Sequence, residues 1–403
     1  MPSLQFLILA AALLLLIIYV LLWWHAHTSI KVPRQLVPPT KEELSNATLP
    51  SISIVIITHD SDHMLQIAID KVVRQQYPDF EIVVVDNAST DETADVIKRA
   101  AAQHPNILRS TRLPRNTHGL LHMSMAVTLG IRASRKDWIV LLRPNSTPKT
   151  DLWLLSIAEA IARGNRLCIG YNHYYGYYSA SWERKAARWY RHRQLLNYNA
   201  INSGKRTPIG AEPSNFTFNK ADFLANRGYG KWLHIANYHE QLYAASNAIP
   251  RQTTFLTMPD AQVETVLPPI RELWNTERQQ TLKAARQLPR SVKLRRGYKT
   301  RLAGLFLLSV LTLAAGVLIE QFPALCAKLG LGFLHNLNPN SGITPNQWSV
   351  VNGQWSIIAV ILFFAIAVIH FTCSAHARRQ DNKRLHVPLV TNPTELIKAS
   401  TEY

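Results

Sequence analysis

With 403 residues the chain has room for one large or two ordinary domains plus membrane segments. Its 44 Lys and Arg against 26 Asp and Glu leave a net charge of +18, which points to nucleic acid or to an anionic membrane surface; the arrangement of the charges decides between them. The three cysteines, Cys168, Cys326 and Cys373, are far apart, which excludes a disulfide framework and cysteine metal-ligand spacing and suits a cytosolic domain.

Residues 4–24, LQFLILAAALLLLIIYVLLWW, carry no charge and are long enough to cross a bilayer, with Trp23 and Trp24 at the interface. A cleaved signal peptide would want a basic n-region and a shorter apolar core, so a retained anchor over 1–25 is expected. Residues 26–50 read as a polar linker dotted with prolines. From residue 51 the pattern becomes that of alternating strands and helices. SISIVIIT is a buried strand, and a helix near 62–75 carries Leu65, Ile69, Val72 and Val73 on one face. FEIVVVDNAST is a second strand entering a polar turn, where Ser89 or Thr90 can cap the next helix with Asp91 and Glu92 in its first turn. NILRSTRL is a third strand, residues 118–134 are helical, and WIVLL at 138–142 is a fourth strand ending at Arg143-Pro144-Asn145. This order predicts an α/β domain over 51–285, a mostly parallel sheet with helices on both faces. Ligands then sit at the carboxyl ends of the strands, near 58–62, 86–90 and 143–147.

Beyond residue 150 the pattern weakens. ERKAARWYRHRQLLNY is a basic, aromatic helix that suits a membrane surface, an acceptor cleft or a solvated face. A basic segment at 286–301 precedes an apolar run at 302–319, and a second run at 355–373 precedes Arg378, Arg379, Lys383 and Arg384; the loop between the runs holds only Lys328. Two further spans within 302–375 and a basic tail at 376–403 follow. The positive-inside rule puts the central domain and the tail in the cytosol, on a multi-pass protein of the cytoplasmic membrane. Much of the +18 is then topology and lipid attraction, and nucleic acid is not an expected partner. The Asn-X-Ser/Thr triplets at Asn46, Asn145 and Asn215 carry no meaning in that compartment.

The stretch from Gln75 to Thr93, QQYPDFEIVVVDNASTDET, together with HMSMAVTLGIRASRKDWIVLL, SNFTFNKADFL, NYHEQLYAA and ELWNTERQQ, resembles family 2 glycosyltransferases of the GT-A fold over residues 51–283. Those enzymes move a sugar from a nucleotide-sugar to an acceptor. The resemblance implies that Asp86 contacts the uracil or ribose of a donor, with Thr58, His59 and Asp60 lining the same pocket. It also implies an Asp-x-Asp pair after the fourth strand to hold Mg²⁺ or Mn²⁺ against the diphosphate. This chain has Arg143 and Asn145 there. Arginine cannot ligate a metal and an amide is a weak ligand, so no metal site and no cofactor are expected. Where relatives carry an acidic cluster with the general base, Glu240 and its neighbour His239 remain. The terminal motif that covers the diphosphate in relatives matches Arg278, Gln279 and Gln280 in a changed order. The histidine pairs His59/His63 and His118/His122 have helix-face spacing but lack supporting ligands, so zinc is not expected.

Two functions follow as expectations. One is a membrane-anchored transferase using a UDP- or GDP-sugar, a lipid-linked or saccharide acceptor and membrane lipids as partners. Arg143, Asn145 and Arg278 would then face the diphosphate, the two arginines because a guanidinium fork matches phosphate oxygens. The other is an inactive pseudo-transferase, a nucleotide-binding or scaffolding membrane subunit.

Overall fold

The structure, a computed structural model, describes residues 49–114, 123–176, 180–202, 208, 210–232, 239–249 and 251–288, with 14, 17–19, 21, 304, 307 and 311. The chain divides into two compact units, Met1–Ile30 with Gly297–Asp381, and Lys31–Arg296 with Asn382–Tyr403. In the first unit the described residues are helical. Leu14, Ile17, Ile18 and Leu21 are exposed there, at the spacing that gathers side chains on one helix face. The rest of the expected spans, the linker up to residue 48, the basic segment from 289 and the tail lie outside the described residues, as do His118 and His122. Among the described residues, no helix is long and apolar enough to cross a membrane.

The second unit is built on a seven-stranded sheet. β1 (Ile52–Thr58), β2 (Phe80–Asn87), β3 (Leu108–Leu113) and β4 (Trp138–Leu142) pair in parallel in the order β3-β2-β1-β4. β1 and β2 are buried almost end to end, as strands covered on both faces must be. Alternate residues divide the work. Ile54, Ile56, Val84 and Val140 pack with Leu65 and Ile69 of α1 (Asp62–Val73), Val96 of α2 (Thr93–Gln103) and Trp153 of α4 (Trp153–Ala162). The other face carries α3 (Met123–Ala133). It approaches so closely that a Cβ on Gly130 would lie 2.6 Å from Val55 Cγ1 and 2.9 Å from Val85 Cγ2, which is why glycine stands there.

The remaining strands depart from the parallel pattern. β8 (Phe216–Asn219) runs antiparallel to both β4 and β6 (Leu167–Gly170), and β9 (Thr253–Leu256) closes the edge parallel to β6. A second sheet joins β5 (Ser146–Pro148), β10 (Val263–Val266) and β7 (Asn172–Tyr175) in the order β5-β10-β7. Asn215 locks the two sheets' connections. It takes a left-handed φ of 55°, accepts Trp153 Nε1–H at 3.0 Å, and donates to the Tyr171 and Ala261 carbonyls. The triplet at Asn215 is therefore an interior packing element.

Helix α2 starts at Thr93 rather than at a Ser89 or Thr90 cap. The Thr93 N–H is taken by Asp91 Oδ1 at 3.0 Å, and Ser89 and Thr90 bond to the β1 loop instead. The basic aromatic segment is the 22-residue α5 (Ser181–Asn202). Its Tyr190, Arg193, Gln194 and Tyr198 are buried, so one face is packed inside the protein.

At the amino end of the sheet Glu81 is buried in a set of donors. Ser53 Oγ–H donates at 2.6 Å, the Arg135 N–H at 2.5 Å, and Arg109 Nη2–H at 2.7 Å. Burial alone would raise the Glu81 pKa, but these donors outweigh it and hold the carboxyl below its ordinary 4.5. Such a group contributes stability that is complete above its unfolded value and disappears as the pH falls through the folded one. Glu81→Gln should therefore cost about 2 kcal/mol at neutral pH. The gap to the parent protein should shrink below about pH 4.5. Chemical denaturation across pH checks this; a gap independent of pH would contradict it.

Candidate functional site

The parallel register sets Thr58 beside Asp86, Asp86 beside Arg112, and Leu142 beside Ile56. The carboxyl ends of four strands thus deliver Thr58, Asp86, Arg112 and Arg143 to one edge. Beyond β1 and β2 the chain turns through Asp60 and Ala88, with φ of 45° and 61°. A residue with a Cβ enters this region only when its surroundings hold it. Here the two loops clasp each other. The Thr90 N–H donates to Asp60 Oδ1 at 2.7 Å, and the Asp60 N–H donates to Ser89 Oγ at 3.1 Å. The Ser61 N–H donates to Thr93 Oγ1 at 3.0 Å. The bond from Thr90 holds the Asp60 carboxyl below its ordinary range, and His59 assists. His59 Nδ1 donates to the Asn87 carbonyl at 2.9 Å, and its Nε2 lies 3.3 Å from Asp60 Oδ2.

Asp86 is 3% exposed. Its Oδ1 accepts the Ser89 N–H at 2.9 Å. Its Oδ2 lies 3.3 Å from Arg112 Nε, a charge contact without hydrogen-bond geometry. Thr58 Oγ1, Asp86 Oδ2 and Asn87 Nδ2 are all buried with no hydrogen-bond partner. Such groups cost free energy unless something satisfies them. A hydroxyl, a carboxylate oxygen and an amide N–H at adjoining strand ends form a donor and acceptor set suited to a base edge or a ribose.

Arg143 leaves β4 with its N–H on Ser214 Oγ at 3.3 Å. Its Nη1 lies 3.4 Å from Glu277 Oε1, an ion pair with α8 (Arg271–Ala285). Glu277 Oε2 accepts the Tyr190 hydroxyl at 2.5 Å. Tyr190 stacks on Tyr174 with ring centroids 3.9 Å apart, and the Tyr174 hydroxyl donates to Glu212 Oε2 at 3.3 Å. Glu212 Oε1 lies 3.0 Å from Arg193 Nη1, and Arg193 Nη2–H donates to Gln241 Oε1 at 2.8 Å. A chain of contacts, buried beyond Glu277, thus runs from the end of β4 to the start of α7 (His239–Asn247). Burial first, and the Glu212 charge next, push the Tyr174 phenol well above its ordinary range, so it remains a donor.

The other expected residues are placed as follows. Asn145 donates its side-chain amide to the Val266 carbonyl at 2.9 Å, which spends it on the β10 junction. Glu240 is buried and accepts the Tyr229 hydroxyl at 3.2 Å. His239 is buried, donates Nε2–H to the Trp232 carbonyl at 3.1 Å and stacks on Tyr229. Arg278 is exposed, its guanidinium over Trp274 at 5.8 Å. The terminal segment therefore reaches Arg143 through Glu277, not through Arg278. Helical spacing carries the missed signal: Trp274, Glu277, Thr281 and Ala284 share one inward face, and residue 278 turns off it. Arg112, Arg193, Glu212 and Ser214 lacked any local signature.

A divalent ion does not fit the end of β4, where one side chain is a cation and the other an amide already bonded. Among the described residues, no group of three or more His, Cys, Asp or Glu could hold a metal.

Residues 53–223 match the model of glycosyl transferase family 2. No curated protein matches the sequence. Among solved structures, the chain is similar to the mannosyltransferase PcManGT from Pyrobaculum calidifontis in complex with GDP-Man and Mn²⁺. That likeness has 17% identity, covers 89% of this chain and 96% of that one, and has a TM-score of 0.51. S. aureus TarS 1–349 in complex with UDP-GlcNAc is 14% identical, with 68% of this chain and 83% of that one covered and a TM-score of 0.42.

Asp86→Ala should weaken binding of a nucleoside and of its diphosphate alike, by about 10- to 100-fold. Calorimetry with uridine, UDP, guanosine and GDP checks this; unchanged affinity would place the nucleoside elsewhere.

Proposed function

We propose that the chain is a membrane-anchored glycosyltransferase. It transfers a sugar from a UDP- or GDP-sugar to a lipid-linked or saccharide acceptor, with arginine in the place of the usual metal. The observation that carries this is the shared sheet edge: unsatisfied buried polar atoms on Thr58, Asp86 and Asn87 lie at the same strand ends that deliver the Arg143 guanidinium. The nucleoside sits against Asp86 and Thr58. The diphosphate lies towards Arg143, whose positive charge opposes the charge that grows as the sugar–phosphate bond breaks. The acceptor hydroxyl attacks the anomeric carbon, the nucleoside diphosphate leaves, and the hydroxyl proton passes to a base. Glu240 is the better base, because His239 commits Nε2–H to the Trp232 carbonyl. His239 then packs Tyr229 and, through it, orients Glu240. Arg278, exposed beside Trp274, is the second cation at the rim.

Membrane anchoring draws its support from the uncharged run at 4–24 and from the exposed apolar face of Leu14, Ile17, Ile18 and Leu21. The Lys and Arg distribution favours a cytosolic transferase domain. The inactive alternative draws on one observation: Arg143 is already paired, with Glu277.

Turnover of a UDP- or GDP-sugar by the purified chain should persist in EDTA, and Arg143→Ala should lower it about 100- to 1,000-fold. A screen of donor hydrolysis with and without Mn²⁺ checks this. Activity that chelation abolishes would contradict the proposal, and nucleotide binding with no turnover of any donor would favour the inactive alternative. Glu240→Gln should lower transfer to acceptor by about 100-fold or more while nucleotide affinity is kept.

A further inference from the structure

Helix α8 turns Trp274, Thr281 and Ala284 inward, all buried, and Glu277 shares that face. A carboxylate on the packed face of an amphipathic helix needs a partner, because desolvating the charge is costly. Glu277 has two. One is the Tyr190 hydroxyl at 2.5 Å, itself fixed by stacking on Tyr174 and by an edge contact with Trp189. The other is Arg143 Nη1 at 3.4 Å. That distance exceeds the 2.7–2.9 Å typical of a tight charge-assisted bond, so this half of the arrangement is loose. Both side chains are also about a quarter exposed, 24% for Arg143 and 26% for Glu277, so solvent and ligand reach the pair. Its place is the carboxyl end of β4, where ligands of such sheets bind.

We propose that Glu277 is a donor-positioning residue. It holds the Arg143 guanidinium at the sheet edge while no donor is bound, and yields it to the diphosphate on binding. The proposal rests on the reading that Arg143 receives the diphosphate. Phosphate oxygens match the planar guanidinium in two-point geometry and outcompete the long contact to Glu277. The carboxylate, kept near by Tyr190, then repels the incoming diphosphate and lowers its affinity. A nucleoside without phosphates meets no such repulsion. Glu277 therefore acts on the charged part of the donor alone, and a structural role would not discriminate in this way.

The test is calorimetry on the full chain in detergent with EDTA, using UDP, GDP, uridine and guanosine against the parent protein, Glu277→Gln, Tyr190→Phe and Arg143→Ala. Glutamine keeps an acceptor for the Tyr190 hydroxyl, and phenylalanine keeps the stacked ring, so both variants should fold; thermal denaturation confirms it. Glu277→Gln should bind the diphosphate about fivefold more tightly, with nucleoside affinity unchanged. Tyr190→Phe should shift the diphosphate in the same direction by less. If Arg143→Ala loses diphosphate binding while Glu277→Gln binds it no more tightly than the parent, the positioning role is overturned and the donor reading stands. If Arg143→Ala binds the diphosphate as the parent does, the donor reading fails and takes this one with it. A gain in Glu277→Gln that extends equally to the nucleosides would also overturn it.

Discussion

What the edge of a parallel sheet can bind depends on the charge its strand ends present, and at β4 that charge is the Arg143 guanidinium. The backbone that carries it is fixed from two sides: the β1–β4 register sets where the strand stops, and Ser214 takes the Arg143 N–H. A fixed cation there can neutralise phosphate without recruiting an ion. It brings a single positive charge where a divalent metal would bring two, so the site needs the pair with Glu277 to open and, on the proposed reading, a second cation from α8. Everything assigned to the diphosphate side follows from that one side chain.

The ends of β1 and β2, the nucleoside side on the proposed reading, obey a different constraint. Strands β1 and β2 are too apolar to place polar groups anywhere but at their ends, and there Thr58, Asp86 and Asn87 keep buried atoms unsatisfied. The loops beyond them would not hold such a surface if they moved. The left-handed turns at Asp60 and Ala88 are held by the cross-bonds to Ser89 and Thr90. Local strain and unmet hydrogen-bonding capacity thus sit together at these strand ends. The contacts from Glu277 through Tyr190, Tyr174, Glu212 and Arg193 to Gln241 link the end of β4 to α7.

The parallel half of the sheet was legible because its signal is local: runs such as ISIVIIT and FEIVVVDN can only be strands buried on both faces, and the intervening helices show a 3.6-residue period. The strand-end positions of Asp86 and Arg143 were legible for the same reason, since a strand end is visible in sequence. The antiparallel insertion of β8 between β4 and β6 was not, because it depends on a pairing between residues 75 to 81 positions apart. The contact of Glu277 with Arg143 was not legible, because it depends on which face of the terminal helix turns inward and on a pairing across 134 positions. Arg193 and Glu212 pair across a buried space between separate elements, and nothing in either neighbourhood announces it.

The account turns on whether the guanidinium does the work of a cation. The direct measurement is the dissociation constant of UDP and of GDP for the full chain, by calorimetry, in EDTA and again with saturating Mn²⁺. A tightly bound nucleotide whose affinity is the same in both conditions is the result expected of a fixed arginine. An affinity that rises about tenfold or more when Mn²⁺ is added would show that carboxylates elsewhere hold a metal, and would contradict it.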